Sequence, residues 1–397
     1  MSNPLSHDPI VIVGQARTPM GGFMGDLAAV KATDLGATAI RAAISRAGLA
    51  SEDIDEVIMG CVLPAGLGQA PARQASLAAG IPKSTGTTTV NKVCGSGMKS
   101  IMLAHDLLVA GSATAAVAGG MESMSNAPHL LPKARAGYRF GHGQVLDHMA
   151  FDGLEDAYEG SAMGVFAETC ADKYQFDREA QDAYAIGSLK KAQAAIESGA
   201  FDAEIVPVEV PARGGAVTVD TDEQPMKARF DKIPQLRPAF RKDGTVTAAN
   251  ASSISDGAAA VVLMRQSEAS KRGLTPIARI VAHAGHAQEP SEFTMAPIGA
   301  IGALLSKAGW DKDSVDLFEI NEAFAVVPMA AIESLGLDAD RVNVNGGACA
   351  LGHPIGCSGT RIVVTLLAAL AAHGKKRGVA SLCIGGGEAT ALAVELV

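Results

Sequence analysis

The sequence predicts an α/β fold, because short apolar runs typical of strands alternate with segments of helical periodicity. Residues 10–14 form a β-branched run that ends at a glycine, which predicts a buried strand leading into a loop. Residues 34–48 carry small and apolar residues at helical spacing, and Gly48 is typical of a helix C-terminus. Residues 54–63 return to a strand pattern.

A strand and helix order found in the first third of the chain recurs near its end. A predicted helix from Ser96 to Ala110 is followed by a small-residue strand at 115–120, and a helical run at 360–373 is followed by a strand at 379–384. The glycines that align are Gly97 with Gly359 and Gly119 with Gly385. Two similar α/β halves would produce this match, and so would a chance likeness between Gly-rich units.

Composition and charge narrow the function classes. The chain has 397 residues, of which 48% are hydrophobic, and this length is typical of two or three packed units. Its formal charge is −9. We expect no nucleic-acid partner, since phosphate backbones require clustered Lys and Arg. Met1 to Pro9 lacks a signal-peptide pattern, and no apolar run is long enough to span a bilayer, so we expect a cytoplasmic protein without a membrane partner.

The six cysteines are scattered through the chain with no Cys-x-x-Cys pair. This spacing suggests neither a disulfide framework nor a zinc knuckle, so we expect reduced thiols and no metal. Catalysis or plain burial remains for each of them. Their positions are 61, 94, 170, 349, 357 and 383.

Cys94 is the first candidate for chemistry. It lies in Asn-Lys-Val-Cys-Gly-Ser-Gly at residues 91–97, directly before a predicted helix. The positive end of the helix dipole and unpaired backbone N–H groups favour a thiolate, so we expect its pKa to fall. A buried, inert cysteine before a helix is the alternative interpretation.

Three further side chains occupy comparable places in loops or at strand ends. Pro354 keeps His353 out of helical geometry in a Gly-rich loop, where an imidazole could take a proton from a thiol. Cys383 ends a predicted strand, and Asn321 follows the apolar run 315–320; α/β proteins gather active groups at such strand ends. Structural roles, including a surface cap for Asn321, would explain each residue separately. Their convergence points to a site.

Residues 121–250 differ from the flanking halves in composition and periodicity. The stretch 124–148 has no clear periodicity, which predicts a long surface excursion with a function. Residues 177–199 are predicted to be helical, with Asp177 as N-cap. The polar stretch 220–245 holds the best candidate anion patch, formed by Lys227, Arg229, Lys232 and Arg237.

Together these motifs resemble the thiolase family. The resemblance covers nearly the whole chain in order and spacing, and several separate blocks are more specific than any one cysteine. The blocks are Asn91 to Gly97, Gly119 to Ser125, Asn250 to Ala259, Asn321 to Phe324, Gly346 to Gly359 and Cys383 to Gly387.

The resemblance implies a thiolase-like α/β fold of two duplicated five-layered αβαβα halves, with a loop domain inserted in the first. It places the first half at residues 1–120 and 251–275, the coenzyme A-binding loop domain at 121–250, and the second half at 276–397. It also implies a homo-oligomer, a dimer or a tetramer, since the 124–148 excursion is similar to the tetramer-forming loop of the family.

The resemblance further implies reversible acetyl transfer between coenzyme A thioesters. By position, Cys94 would be the acylated nucleophile, His353 its base, and Cys383 the group that removes the α-proton of the second acetyl-CoA. Asn321 would hold a water with His353 in one oxyanion hole. The N–H groups of Cys94 and Gly385 would form the other. No cofactor is implied beyond coenzyme A as substrate and product.

The resemblance places the pantetheine of coenzyme A in the loop domain. The residues implied near it are Leu154, Met163, Phe240, Ala248 and Ser252, with Lys227 and Arg229 as candidates for the phosphates. Two positions depart from the family pattern. Members dedicated to acetoacetyl substrates commonly have His where this chain has Ala162, and Glu388 after the three glycines is a local difference.

Three functions therefore compete. An acetyl-CoA acetyltransferase is favoured by the block around Cys94, and a degradative 3-ketoacyl-CoA thiolase of longer chain preference is the runner-up because of Ala162. A non-catalytic acyl-CoA binder would not need Cys94, His353 or Cys383, yet all three are present.

Overall fold

The structure, a computed structural model, describes residues 8–397. Its strands are β1 (Ile10–Arg17), β2 (Gly21–Gly22), β3 (Glu56–Gly60), β4 (Gly86–Val90), β5 (Ala115–Ser123), β6 (His129–Leu130), β7 (Leu146–Asp147), β8 (Val208–Ala212), β9 (Gly215–Val219), β10 (Ser255–Arg265), β11 (Ala278–Ala287), β12 (Leu317–Ile320), β13 (Arg377–Ile384) and β14 (Glu388–Leu396). Its helices are α1 (Ala32–Arg46), α2 (Pro71–Ala78), α3 (Ser96–Ala110), α4 (Met163–Tyr174), α5 (Arg178–Glu197), α6 (Glu223–Lys227), α7 (Gln266–Lys271), α8 (Ala296–Ala308), α9 (Val326–Leu335), α10 (Ala348–Leu351) and α11 (Ser358–Ala372). Of the stretch Met1 to Pro9, all but the last two positions lie outside the described residues. Within 8–397, no helix has the length and apolar character needed to cross a bilayer.

The main sheet has ten strands and shows the predicted duplication. Its order is β12-β13-β14-β11-β1-β10-β5-β3-β4, with β2 paired to β10. In each half the first strand is antiparallel to the last, β1 to β10 and β11 to β14, while β3–β5 and β12–β13 are parallel. A parallel bridge from Phe318 to Val342 takes the place in the second half that β4 takes in the first. The repeat in the sequence is therefore a repeat of topology.

The helices and the two halves of the sheet form five layers. α1 and α2 cover the outer side of the first half, and α8 covers that of the second with α9 packed against it. Between the halves, α3 packs on β3 and β5, α11 packs on β12 and β13, and the two helices contact each other. The five-layered prediction is confirmed.

The two central helices begin in close contact because glycines stand at both starts. A Cβ atom on Gly97 would lie 2.8 Å from the backbone nitrogen of Thr360, and one on Gly359 would lie 2.3 Å from that of Met98. Close-packed interiors do not accommodate such approaches, so a side chain at either position would force the helices apart. The glycines that align in the sequence are thus where the first turns of the two helices meet.

Several predicted elements are confirmed with small shifts at their ends. α3 occupies the predicted residues and ends at Gly111, whose φ of 75° lies in the left-handed region. α5 begins after Asp177, whose carboxylate accepts a hydrogen bond from the Ala180 N–H at 2.8 Å. α1 and α11 each start slightly before the predicted residue.

The inserted segment runs between β5 and β10. β5 continues to Ser123, which pairs with Asp256, so the boundary predicted after residue 120 cuts through a strand. The boundary predicted after residue 250 precedes the start of β10 at Ser255. Residues 121–123 remain in the sheet because each has a partner on β10. The insertion proper therefore begins at about Met124 and carries α4, α5 and α6.

Candidate active site

Cys94 lies in a tight turn between β4 and α3. Val93 has a φ of 44°, a left-handed conformation that β-branched residues rarely adopt. The Val93 N–H donates to Asn91 Oδ1 at 2.9 Å, and the Lys92 N–H donates to Ser96 Oγ at 2.8 Å. These hydrogen bonds hold the strained turn, which leaves the Cys94 thiol half-buried at the wall of a cavity.

The pKa of Cys94 moves opposite to the expectation from sequence. Burial raises it to about 11, and the N–H groups of Gly385 and of Cys94 itself, which point at the sulfur, offset only part of this. The predicted fall was wrong because the loss of hydration outweighs the helix end and the N–H groups. At neutral pH the resting side chain is a thiol and requires a base.

His353 has the protonation state of such a base. Its Nδ1 lies 2.6 Å from Ser358 Oγ, whose hydroxyl donates to the Pro354 carbonyl at 3.0 Å. Nδ1 therefore carries the ring proton and donates it to Ser358, and Nε2 keeps its lone pair. Within residues 8–397, Nε2 is buried without a hydrogen-bond partner. Burial, with a further contribution from the Arg361 charge, lowers the pKa of His353 to about 3, so the ring is neutral.

Cys94, His353 and Gly385 line one cavity of about 470 Å³, whose walls are mostly apolar. All five residues predicted near the pantetheine line the same cavity. They are Leu154, Met163, Phe240, Ala248 and Ser252. Sequence reasoning missed several other apolar residues in the wall, including Met124, Phe293 and Ile355. The structure thus brings the predicted nucleophile, base and acyl-CoA contacts together.

Cys383 and Asn321 lie close to the residues that line this cavity. Cys383 is fully buried in β13, and burial, followed by the nearby Cys94 thiol, raises its pKa well above the ordinary value. Asn321 follows β12, is 1% exposed, and places its Nδ2 3.5 Å from His353 Nδ1. The surface-cap interpretation of Asn321 is therefore wrong. Both side chains are buried beside the catalytic candidates.

The predicted basic residues line a second cavity that adjoins the first. This cavity measures about 310 Å³, and Lys227, Arg229 and Lys232 are in its wall. Ala248 and Ser253 line both cavities, so the basic wall and the catalytic wall are continuous. The arrangement suits a long ligand with an anionic end.

The four members of the predicted anion patch differ in what they offer. The Lys227 ammonium is paired with Glu223 at 2.7 Å and with Asp26 at 3.3 Å, so much of its charge is compensated. Arg237 is not in the wall of either cavity. Arg229, exposed at the rim, is the stronger candidate for an anion.

Glu122 supports the site although sequence reasoning gave it no role. Its Oε2 accepts hydrogen bonds from the N–H groups of Val62 and Gly356, both at 2.9 Å, and its Oε1 accepts one from Leu63 at 3.1 Å. Burial raises the pKa of Glu122 to about 7. The carboxylate ties the loop after β3 to the loop that carries His353. The sequence contained one indication of this role, because Glu122 is the only charged residue of the predominantly small and apolar strand β5.

Glu322 has a similar role in the second half. It accepts hydrogen bonds from Ser188 Oγ at 2.7 Å, from Asn343 Nδ2 at 2.9 Å and from the Cys349 N–H at 3.0 Å. It therefore connects the strand end at Asn321 with α5 and with the start of the His353 loop. Its place next to Asn321 in a recognised block was the only hint in the sequence.

Both departures from the family pattern lie at the site. Ala162 is in the wall of the catalytic cavity. Glu388 forms an ion pair with Lys92. Because Lys92 precedes Cys94 and Glu388 follows the glycines after Cys383, this pair joins the loops of the two cysteines.

The site can carry out acyl transfer through a covalent thioester. A thiol nucleophile faces the cavity together with a neutral imidazole, and two N–H groups point at the nucleophilic sulfur. The Cys94 thiol is also close enough to the second thiol, Cys383, to contribute to the raised pKa of Cys383. A thiol nucleophile, an imidazole base and a second thiol, supplied by both halves of a duplicated five-layered fold, define the thiolase class.

The comparisons with known proteins agree with the fold and the site. Residues 10–267 match the family described as thiolase, N-terminal domain, and residues 274–396 match thiolase, C-terminal domain. The chain belongs to the thiolase family.

Its relatives are similar over nearly their whole length. It is 52% identical over 388 residues to an acetyl-CoA acetyltransferase of Cupriavidus necator, covering 97% of this chain and 99% of the relative. It is 52% identical over 399 residues to acetyl-CoA acetyltransferase 2 of Arabidopsis thaliana, covering 100% of this chain and 99% of the relative. Among solved structures, the Acat5 thiolase from Ascaris suum in complex with coenzyme A superimposes with a TM-score of 0.94 at 46% identity, covering 98% of this chain and 100% of that one.

Proposed function

We propose that the chain is an acetyl-CoA C-acetyltransferase that catalyses the reversible condensation of two acetyl-CoA to acetoacetyl-CoA and coenzyme A. The observation that carries the proposal is the single cavity lined by Cys94, His353 and Gly385 together with the five predicted pantetheine contacts. Relatives that are about half identical bear the name of this activity.

In the first half-reaction Cys94 takes the acetyl group. His353 Nε2 accepts the thiol proton, the Cys94 sulfur bonds to the thioester carbon, and the coenzyme A thiolate leaves with that proton. The hydrogen bond from Nδ1 to Ser358 keeps Nε2 unprotonated at rest. A neutral pair at rest is consistent with the raised pKa of Cys94 and the lowered pKa of His353.

In the second half-reaction a carbon–carbon bond forms at the acetyl group on Cys94. The Cys383 thiol first passes its proton to His353 Nε2, and the thiolate then removes the α-proton of the second acetyl-CoA. The resulting carbanion bonds to the acetyl carbon and breaks its bond to the Cys94 sulfur, which takes the proton back from His353. The N–H groups of Cys94 and Gly385 already point at that sulfur, so they are placed for the oxygen of an acetyl group on it. Asn321, beside His353, would hold the water that polarises the other thioester oxygen.

In the reverse direction, thiolysis of acetoacetyl-CoA, Cys383 acts as an acid. Its resting thiol already carries the proton that this step requires. In thiolysis the Cys94 sulfur, whose proton His353 Nε2 has taken, bonds to the β-carbon of acetoacetyl-CoA. The bond between the α- and β-carbons then breaks, the Cys383 thiol gives its proton to the leaving carbanion, and His353 returns a proton to the Cys383 sulfur. Burial, which raises the pKa of Cys383, keeps that proton in place until the carbanion develops. The same residues serve both directions, and metabolite ratios set the flux.

Coenzyme A is proposed as substrate and product, with no further cofactor. Its pantetheine would occupy the apolar cavity, and its phosphates would reach the adjoining basic wall at Arg229, Lys232 and Lys227. The continuity of the two cavities at Ala248 and Ser253 supports this orientation.

The runner-up is a 3-ketoacyl-CoA thiolase of longer chain preference, supported by Ala162 in the cavity wall. The rates of thiolysis of acetoacetyl-CoA and of a long-chain 3-ketoacyl-CoA separate the two. We expect the higher kcat/KM with acetoacetyl-CoA. A strong preference for the long substrate would establish the runner-up, and inactivity with both would leave only an acyl-CoA binder.

A cytoplasmic homo-oligomer, either a dimer or more specifically a tetramer, is the proposed assembly. β4 is an edge strand whose outer side is exposed, and such edges pair readily with a second chain. The excursion 124–148 exposes Leu131, Phe140 and Val145, as expected of a surface that packs on another subunit. Light scattering of the purified protein measures the subunit number, and a monomer would contradict the proposal.

A further inference from the structure

Two imidazoles and a carboxylate meet at a position that the acyl-transfer site does not use. His105 and Asp106 lie in the last turns of α3, in the first half, and His283 lies on β11, in the second. His105 Nδ1 is 3.0 Å from Asp106 Oδ1, and His283 Nε2 is 2.9 Å from the same oxygen. The two rings stand nearly perpendicular, with centroids 5.0 Å apart.

The burial of the three side chains suits a bound cation with one open side. The side chains of His105 and His283 are only 10% and 12% exposed, whereas that of Asp106 is 56% exposed. Burial lowers the pKa of His283, which favours the neutral ring that a metal requires. Burial also opposes ionisation of Asp106, but the hydrogen bonds from both imidazoles outweigh it and leave the pKa of Asp106 below its ordinary value.

We propose that His105, Asp106 and His283 form a binding site for a divalent transition metal such as Zn²⁺ or Co²⁺. One ligand atom from each residue lies within 4.8 Å of the others, and two imidazole nitrogens with a carboxylate oxygen are a donor set that these ions accept. The exposed side at Asp106 leaves room for a water as the remaining ligand. The absence of paired cysteines in the sequence excluded a zinc knuckle but does not bear on an imidazole site.

The metal would link the two halves of the fold. Because α3 and β11 come from different halves, only the folded chain presents all three ligands. Binding to the folded state alone raises its stability by mass action, so the melting temperature rises with metal concentration. Lys307 limits the affinity, since its ammonium donates to the His283 carbonyl at 3.0 Å and places a positive charge nearby.

Titration of the full-length, tag-free protein with Co²⁺, followed by visible absorption and equilibrium dialysis, tests the site. We expect one Co²⁺ per chain without a thiolate-to-cobalt charge-transfer band. Asp106→Asn, an exposed change, and His283→Asn should each weaken binding by at least about tenfold, since even loss of a second-shell partner costs that much. His286→Asn, which removes an imidazole from the opposite face of β11, is the matched control and should bind as the parent does.

Three results would overturn the proposal. The first is no saturable binding by the parent protein. The second is equal Co²⁺ affinity in Asp106→Asn and the parent, a comparison that remains available if His283→Asn does not fold. The third is a charge-transfer band that is lost in Cys94→Ser, which places the metal on the catalytic cysteines instead.

Discussion

Ser358 Oγ lies 2.6 Å from His353 Nδ1, and this contact leaves Nε2 as the ring nitrogen with a free lone pair. The hydroxyl hydrogen is committed to the Pro354 carbonyl, so Ser358 can only accept from the imidazole. The serine belongs to the first turn of α11, and a helix of the second half thereby fixes the tautomer of the base proposed for Cys94.

Ser358→Ala should lower kcat/KM roughly fivefold to tenfold, because one hydrogen bond of about 1 kcal/mol no longer orients the ring. The KM for coenzyme A should change little, since Ser358 does not line the cavity. Steady-state kinetics with acetoacetyl-CoA measures both quantities. Ser358→Thr keeps the hydroxyl and should recover most of the loss; equal loss in both variants would contradict the role of the hydroxyl.

The reactivity of Cys94 towards iodoacetamide should increase with pH well above neutrality. Burial raises its pKa to about 11, so the thiolate fraction of the free enzyme is still climbing throughout the neutral and mildly alkaline range. The alkylation rate is measured in the Cys383→Ala variant, so that one active-site thiol reacts. A rate that levels off below neutral pH would show a thiolate at rest and refute the neutral pair.

Breaking the ion pair between Lys92 and Glu388 should slow catalysis without unfolding the protein. The pair is partly exposed, so its contribution is about 0.2–1 kcal/mol, and Lys92→Gln should reduce kcat about twofold to fivefold. Lys271→Gln removes a comparable exposed pair with Glu268 and should have no effect. The charge-reversed double variant Lys92→Glu, Glu388→Lys should regain activity. If it is no better than the single variants, the pair does not act as a link between the loops.

Ala162→His should narrow the substrate range. The imidazole would fill part of the cavity wall and add a polar group, so kcat/KM for a longer 3-ketoacyl-CoA should fall relative to acetoacetyl-CoA by at least about tenfold. Ala162→Leu supplies bulk without polarity and separates the two causes. An unchanged ratio of rates in both variants would show that position 162 does not contact the acyl chain.

Local patterns in the sequence were sufficient to single out the candidate residues, and the family resemblance supplied their proposed roles. Cys94 and His353 stand in loops directly before the two central helices, and the aligned glycines at 97 and 359 indicated the duplication that makes these loops comparable. Cys383 lies near the end of β13 and Asn321 directly follows β12, and these two parallel strands end at the same edge of the sheet. Each of these inferences needs only nearby residues and the periodicity of the element.

What the sequence did not predict depends on distant parts of the chain. The helix end beside Cys94 is visible locally, but the burial that raises its pKa comes from residues distant in the chain, such as Val62, Met149 and Ile355. Glu122 and Lys92, the partner of Glu388, acquire their roles through contacts across the two halves. The position of β5 relative to the insertion likewise depends on pairing with β10.

The acetyl group itself gives the most direct measurement. Cys383→Ala is incubated with acetyl-CoA, and intact mass followed by peptide mapping locates any adduct, with Cys94→Ser as the control. We expect one acetyl group per chain, on Cys94, with no acetoacetyl-CoA produced. An unmodified chain, an adduct on another residue, or condensation that survives without the Cys383 thiol would contradict the assignment of the two cysteines.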